Sequence, residues 1–90
     1  MINVSTLLQP LRSRYIHAFL YGSQVKTPRP DRDIDILFVC VARDRETEIA
    51  DVRRIQEASE TLIHPVFVTQ SVLDSNPYFG KLFRGSQQIW

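Results

Sequence analysis

Residues 20–39 read LYGSQVKTPRPDRDIDILFV. A run of branched and aromatic residues ends at Gly22-Ser23. A polar stretch with two prolines follows, and then Asp33-Ile34-Asp35 opens a second apolar run. Side chains of an extended strand alternate with period two, so Asp33 and Asp35 are expected on one face. Two carboxylates that close repel each other unless they are solvated, one is protonated, or a cation sits between them. Hard divalent cations prefer oxygen ligands, and magnesium typically takes one or two carboxylates together with substrate phosphates. Gly22 permits a tight turn and close backbone approach. Ser23 adds a hydroxyl and an N–H, and free N–H groups at such a turn favour an anion. A phosphate at Gly22-Ser23 and a cation at Asp33 and Asp35, on neighbouring strand ends, would seat a nucleoside triphosphate with its metal. Each half alone has a plain explanation, since Gly-Ser marks turns of every kind and an acidic pair can simply solvate a hairpin. The information lies in the joint pattern.

The rest of the chain frames this stretch. Residues 15–21 (YIHAFLY) are predicted as a strand, with Ile16, Ala18 and Leu20 on one face and Tyr15, His17, Phe19 and Tyr21 on the other. Residues 33–41 (DIDILFVCV) form a second strand, apolar on both faces from Ile36 onward and therefore central in a sheet. Residues 44–62 are predicted as the main helix, capped by Asp44, with Ile49, Val52, Ile55, Ser59 and Leu62 in one stripe and the charged residues on a solvated face. Residues 63–69 (IHPVFVT) form a third strand, placed at an edge by Pro65, which has no N–H to donate. Ser5 is the expected cap of a short first helix that Pro10 kinks or divides. Beyond residue 70 one or two short helices are expected, broken at Asn76-Pro77, with Phe79, Phe83 and Trp90 as core or interface anchors and Ile89 and Trp90 packing back. The fold class is α+β. A small mixed sheet is packed by helices, with its first two strands antiparallel and the third reached through a helical crossover and parallel to the second.

Ninety residues are read as one domain, 1–90. Eleven basic and ten acidic residues leave a net charge of +1, which is not the balance of a general DNA-coating protein. The single cysteine, Cys40, lies in an apolar run and is read as buried. There is no apolar stretch long enough to span a membrane. The first residues lack the pattern of a signal peptide, so a soluble, cytoplasmic protein is expected.

The quoted stretch resembles the signature of the nucleotidyltransferase superfamily, a hydrophobic-Gly-Ser segment followed by Asp-x-Asp, shared with DNA polymerase β. The short chain resembles the minimal nucleotidyltransferases of bacteria and archaea, and the order of elements is similar over most of its length. The resemblance implies a nucleotidyltransferase-like fold. It implies an enzyme that transfers a nucleoside monophosphate, most often AMP from ATP, to a hydroxyl with release of pyrophosphate. By the same resemblance Gly22 and Ser23 would hold the triphosphate, and Asp33 and Asp35 would bind one or two magnesium (or manganese) ions. Lys26, Arg29 and Arg32 in the turn can clamp a triphosphate by charge, or balance Asp31 in a solvated turn. Short members of the family pair with a small helical HEPN-type protein as antitoxin to toxin and can adenylylate it. A chain this short has no room of its own for an acceptor site, so that protein, or a second copy in a homodimer, would supply it.

The sequence departs from the family pattern in three places. The turn QVKT has no glycine, and its spacing to Asp33 is short. Arg32 stands where serine is usual. The strand 63–69 carries no third carboxylate, its main polar side chain being His64. A histidine can accept a proton, but it is a poorer magnesium ligand than a carboxylate, and at a strand start it is often a surface residue. His17 is the weaker of the two histidine candidates. Two readings stay open: a magnesium-dependent enzyme with Asp33, Asp35 and His64 as catalytic residues, or an antitoxin-like binding module on the same fold whose chemistry has decayed.

Overall fold

The structure is a computed structural model that describes residues 3–22, 33–83 and 85–90. The sequence readings at Ser23, Lys26, Arg29 and Arg32 lie outside the described residues. Strand β2 (Ile34–Cys40) is central, with β1 (His17–Tyr21) antiparallel on one side and β3 (Ile63–Thr69) parallel on the other. A two-residue β4 (Gln87–Gln88) pairs antiparallel with β1, so the sheet order is β3-β2-β1-β4. Every residue of β2 is buried except Asp35, as expected of a strand apolar on both faces. Ile34, Ile36, Phe38 and Cys40 meet Leu8, Leu11, Tyr15 and Ile55 on one side. Leu37 and Val39 meet Val68 and Phe79 on the other. Cys40 is a buried free thiol, raised above its ordinary pKa by burial, that donates to the Val68 carbonyl.

Several element ends differ from the sequence reading, each for a local reason. Helix α1 (Val4–Leu8) is capped by Asn3, not Ser5, because the Asn3 side chain accepts from the Thr6 N–H at 3.1 Å. Pro10 divides this segment as anticipated, sitting in a 3-10 turn (Gln9–Leu11), where a missing N–H costs little. Strand β1 starts at His17, two residues later than predicted. Tyr15 lies outside it, and its ring packs against Phe38 and Phe67, on the side of the sheet away from Phe19 and Tyr21.

Helix α2 (Arg45–Glu57) has the predicted Asp44 cap, which accepts from the Thr47 N–H, but stops short of residue 62. Its buried residues are Glu48, Asp51 and Ile55, while Ile49 is 50% exposed, and Leu62, in the connector, is 60% exposed. The predicted apolar stripe and wet charged face are therefore partly exchanged. The cause is ionic. Glu48 receives two hydrogen bonds from the Arg43 guanidinium, at 2.8 and 2.9 Å, and one from the Asp44 N–H. Asp51 accepts from the Tyr15 hydroxyl at 2.7 Å and from Arg14 Nε at 2.9 Å. Buried carboxylates need such partners, and their partners set the rotation of the helix. The Gln56 side chain then pins the helix end to β3, donating to the Thr61 carbonyl and accepting from the Ile63 N–H.

Strand β3 occupies the sheet edge, as Pro65 predicts. Helices α3 (Gln70–Ser75) and α4 (Pro77–Phe83) follow, broken at Asn76 as anticipated. Ile89 and Trp90 pack back on the first core, where the Trp90 indole N–H donates to the Tyr15 carbonyl. No described helix is long and apolar enough to cross a membrane.

The Arg43 hydrogen bonds hold Glu48 below its ordinary carboxyl pKa of 4.5, against the opposing effect of burial. The folded state thus binds fewer protons at this group than the unfolded chain. The stabilisation is complete above the ordinary value and is lost as pH falls through the folded one. Glu48→Gln is expected to lower the urea midpoint at neutral pH and to flatten its decline between about pH 5 and pH 3. Parallel declines in the two proteins would contradict this role. In the core, Phe38→Ala is expected to cost about 3–5 kcal/mol in the same urea assay.

Candidate functional site

Strand β1 ends at Tyr21, and Gly22 turns the chain with φ +77°, a left-handed conformation that favours glycine. In the antiparallel register Tyr21 stands opposite Asp35, which brings the carboxylate beside the turn. A Cβ added to Gly22 would lie 2.6 Å from Asp35 Oδ2. The backbone conformation favours glycine, and any larger residue would also have to displace the Asp35 carboxylate.

The other flank of Asp35 is set by β3. The Ile34 N–H donates to the Leu62 carbonyl at 2.9 Å, and with the Gln56 clamp this bond decides where β3 enters the sheet. The resulting parallel register puts His64 beside Asp35. Both side chains project from the face that carries Leu37, Val39 and Val68, and His64 Nδ1 lies 3.1 Å from Asp35 Oδ1. Asp35 is 25% exposed and His64 66% exposed in their side chains. In the neutral tautomer with its hydrogen on Nδ1, the ring donates to Asp35 Oδ1 and keeps the Nε2 lone pair on its exposed side. Tyr21 adds a third wall. Burial raises its hydroxyl pKa, with Asp35 and Tyr78 adding to the effect, so it remains a neutral donor.

Asp33 is exposed in the lead-in to β2, one residue before the strand begins. The structure therefore brings Gly22, Asp35 and His64 together and leaves Asp33 at the entrance. His17 lies away from this group, with its ring near Gln88. Glu57, Glu60 and Asp74 are exposed. Among the described residues no group of three His, Cys, Asp or Glu side chains is gathered to hold a metal ion. The donor chemistry here, a half-buried carboxylate beside an imidazole with the exposed Asp33 set apart at the entrance, does not make a closed zinc or calcium cage. It suits a hard cation that takes its remaining ligands from water and substrate phosphates.

Sequence reasoning missed two features of this site. Alternation places Tyr21 on a strand face only, although its position directly before Gly22 marks it as a wall of any site at that turn. The contact between His64 and Asp35 had no local signal, because it depends on register across 29 residues.

No family model matches the sequence, and no curated protein matches it. Among solved structures the chain is similar to a crystal structure of the toxin–antitoxin MntA-HpeT, in a mutant whose two changed aspartates, one residue apart, are replaced by glutamates. The TM-score is 0.69 over 99% of this chain and 73% of that chain, at 15% sequence identity. At this identity the likeness establishes the fold, which is α+β and nucleotidyltransferase-like.

Gly22→Ala is expected to cost about 1–3 kcal/mol through the left-handed backbone alone, and more through the clash with Asp35. In an Asp35→Ala background the penalty is expected to shrink but not vanish, a coupling that a double-mutant cycle by urea denaturation measures. Equal penalties in both backgrounds would mean that the two residues do not meet.

Proposed function

We propose that this domain is a magnesium-dependent nucleotidyltransferase that binds ATP, or a related nucleoside triphosphate, at the β1–β2 corner and transfers the nucleoside monophosphate to a hydroxyl of a partner protein. The observation that carries this reading is the Asp35 carboxylate seated between Gly22 and His64 at the mouth of a buried strand. The nucleotidyltransferase-like fold supports it. So does the spacing of the two aspartates changed in the MntA-HpeT mutant, which is that of Asp33-Ile34-Asp35.

Asp33 and Asp35 would hold the magnesium ion through lone pairs left free by the His64 contact. When bound, the ion would neutralise triphosphate charge and stabilise the charge that develops during transfer. Gly22 and Ser23 would seat the phosphates, with Lys26 and Arg32 clamping them from the turn. In the transfer, the acceptor oxygen bonds to the α-phosphorus while the bond from that phosphorus to the pyrophosphate oxygen breaks. Pyrophosphate departs with the bonding pair, and the acceptor proton passes to His64 Nε2. Asp35 orients the imidazole from its other nitrogen, as a carboxylate orients a histidine base in other enzymes.

A toxin–antitoxin neighbour favours a protein partner, and the sequence resemblance implies a small helical HEPN-type one. A second reading has its own support. Among the described residues no third carboxylate joins the pair, which favours an antitoxin-like binding module that holds its partner without turnover. Both readings share the nucleotide fold and the partner, and transfer separates them.

Calorimetry on the purified domain is expected to show ATP binding that requires magnesium and is lost in Asp33→Asn/Asp35→Asn. His64→Gln is expected to keep that binding while lowering transfer to a co-expressed HEPN-type protein by about 10²–10⁴-fold, the usual contribution of a general base. Metal-dependent binding with no transfer in the wild type would select the binding-module reading. Absence of nucleotide binding by a folded sample would reject both the cation and the triphosphate roles.

A further inference from the structure

On the side of the sheet away from Asp35 and His64, helix α2 and the edge strand β3 leave an open groove of about 750 Å³. Its apolar lining comes from Ile49, Val52, Leu62, Pro65 and Phe67. Helix α2 turns Glu48 and Asp51 inward to Arg43, Arg14 and Tyr15, and the same rotation leaves Ile49 facing solvent. With Leu62, at 60% exposure, it makes a contiguous apolar surface of the kind that marks an interaction site.

The backbone edge beside the groove is partly occupied. The Ile63 N–H bonds to Gln56, Pro65 has no N–H, and the Phe67 carbonyl accepts from Arg43 at 2.9 Å. An edge closed at three alternate positions is a poor template for an added strand, so a partner must dock through side chains. The charges on the rim say which side chains. Arg43 and Glu48 neutralise each other. Arg45 and Arg53 also line the groove, and neither forms an ion pair among the described residues, against one exposed acid, Glu57. The rim is therefore net positive around an apolar floor.

We propose that this groove docks an amphipathic helix of a partner protein. Its apolar stripe, spaced i, i+3/i+4, i+7, covers Ile49, Leu62 and Phe67, and its acidic flanks meet Arg45 and Arg53. The surface lies across the sheet from the candidate triphosphate site, so it stands whether or not the domain turns over a nucleotide.

The test uses the full chain and two synthetic helical peptides that share one leucine stripe, one flanked by glutamate and the other by lysine, with binding read by fluorescence anisotropy. The glutamate peptide is expected to bind at least about ten-fold more tightly, with the preference weakening as salt rises. Arg45→Glu/Arg53→Glu is expected to reverse the preference, and Leu62→Asp to abolish binding of both peptides, with unchanged circular dichroism in each case. Equal binding of the two peptides, binding of neither, or binding that ignores these folded variants would overturn the proposal. A wild-type dimer by sedimentation equilibrium that Leu62→Asp dissolves would also overturn it, making a second copy of the chain the occupant.

Discussion

The carboxylate of Asp35 occupies the space that a Cβ at position 22 would claim. That contact ties the fold to its candidate chemistry. It exists because β1 and β2 pair in a register that sets Tyr21 opposite Asp35, and because the chain leaves β1 through a left-handed turn. Behind it stands a strand buried on both faces, whose packing gives the carboxylate a rigid base. Beside it stands His64, held by the start of β3. The proposed role of meeting a phosphate and a cation would require a group held still while remaining open to solvent on one side. A half-buried aspartate at the end of a central strand meets both conditions.

A second constraint governs the other side of the sheet. Helix α2 is oriented by its carboxylates, not by its apolar residues. Glu48 and Asp51 are directed inward and are satisfied by Arg43, the Asp44 N–H, Arg14 and Tyr15, while Ile55 supplies the buried apolar contact. Paired buried charges of this kind are weak contributors to net stability, but removing one partner is costly, so they hold a helix at one rotation. The consequence is a domain with two unlike faces. One presents the acidic and imidazole groups at the β1–β2 corner, and the other presents an apolar groove with a basic rim.

What could be read in the sequence was local. The centrality of β2 followed from its unbroken apolar run, the edge position of β3 from Pro65, the start of α2 from Asp44, and the break between α3 and α4 from Asn76-Pro77. The need for glycine at position 22 followed from its place between a strand and a polar turn. What escaped was set by partners far apart in the chain. The burial of Glu48 and Asp51 depends on Arg14, Tyr15 and Arg43, residues of other elements that no helical periodicity can report. Tyr15 left its strand face because its hydroxyl reaches Asp51, and the adjacency of His64 and Asp35 came from a register fixed by the Leu62 carbonyl and Gln56. Strand β4 is two residues long and is defined by its pairing with the edge of β1.

The most direct measurement is an amide-resolved NMR titration of the isotope-labelled chain with a non-hydrolysable ATP analogue, with and without magnesium. A triphosphate and cation site at this corner predicts magnesium-dependent shifts concentrated at Tyr21, Gly22, Asp33, Asp35 and His64, with the α2–β3 groove unaffected. Shifts confined to the groove, or a spectrum unchanged by nucleotide and metal together, would contradict a triphosphate and cation site built on Gly22 and Asp35.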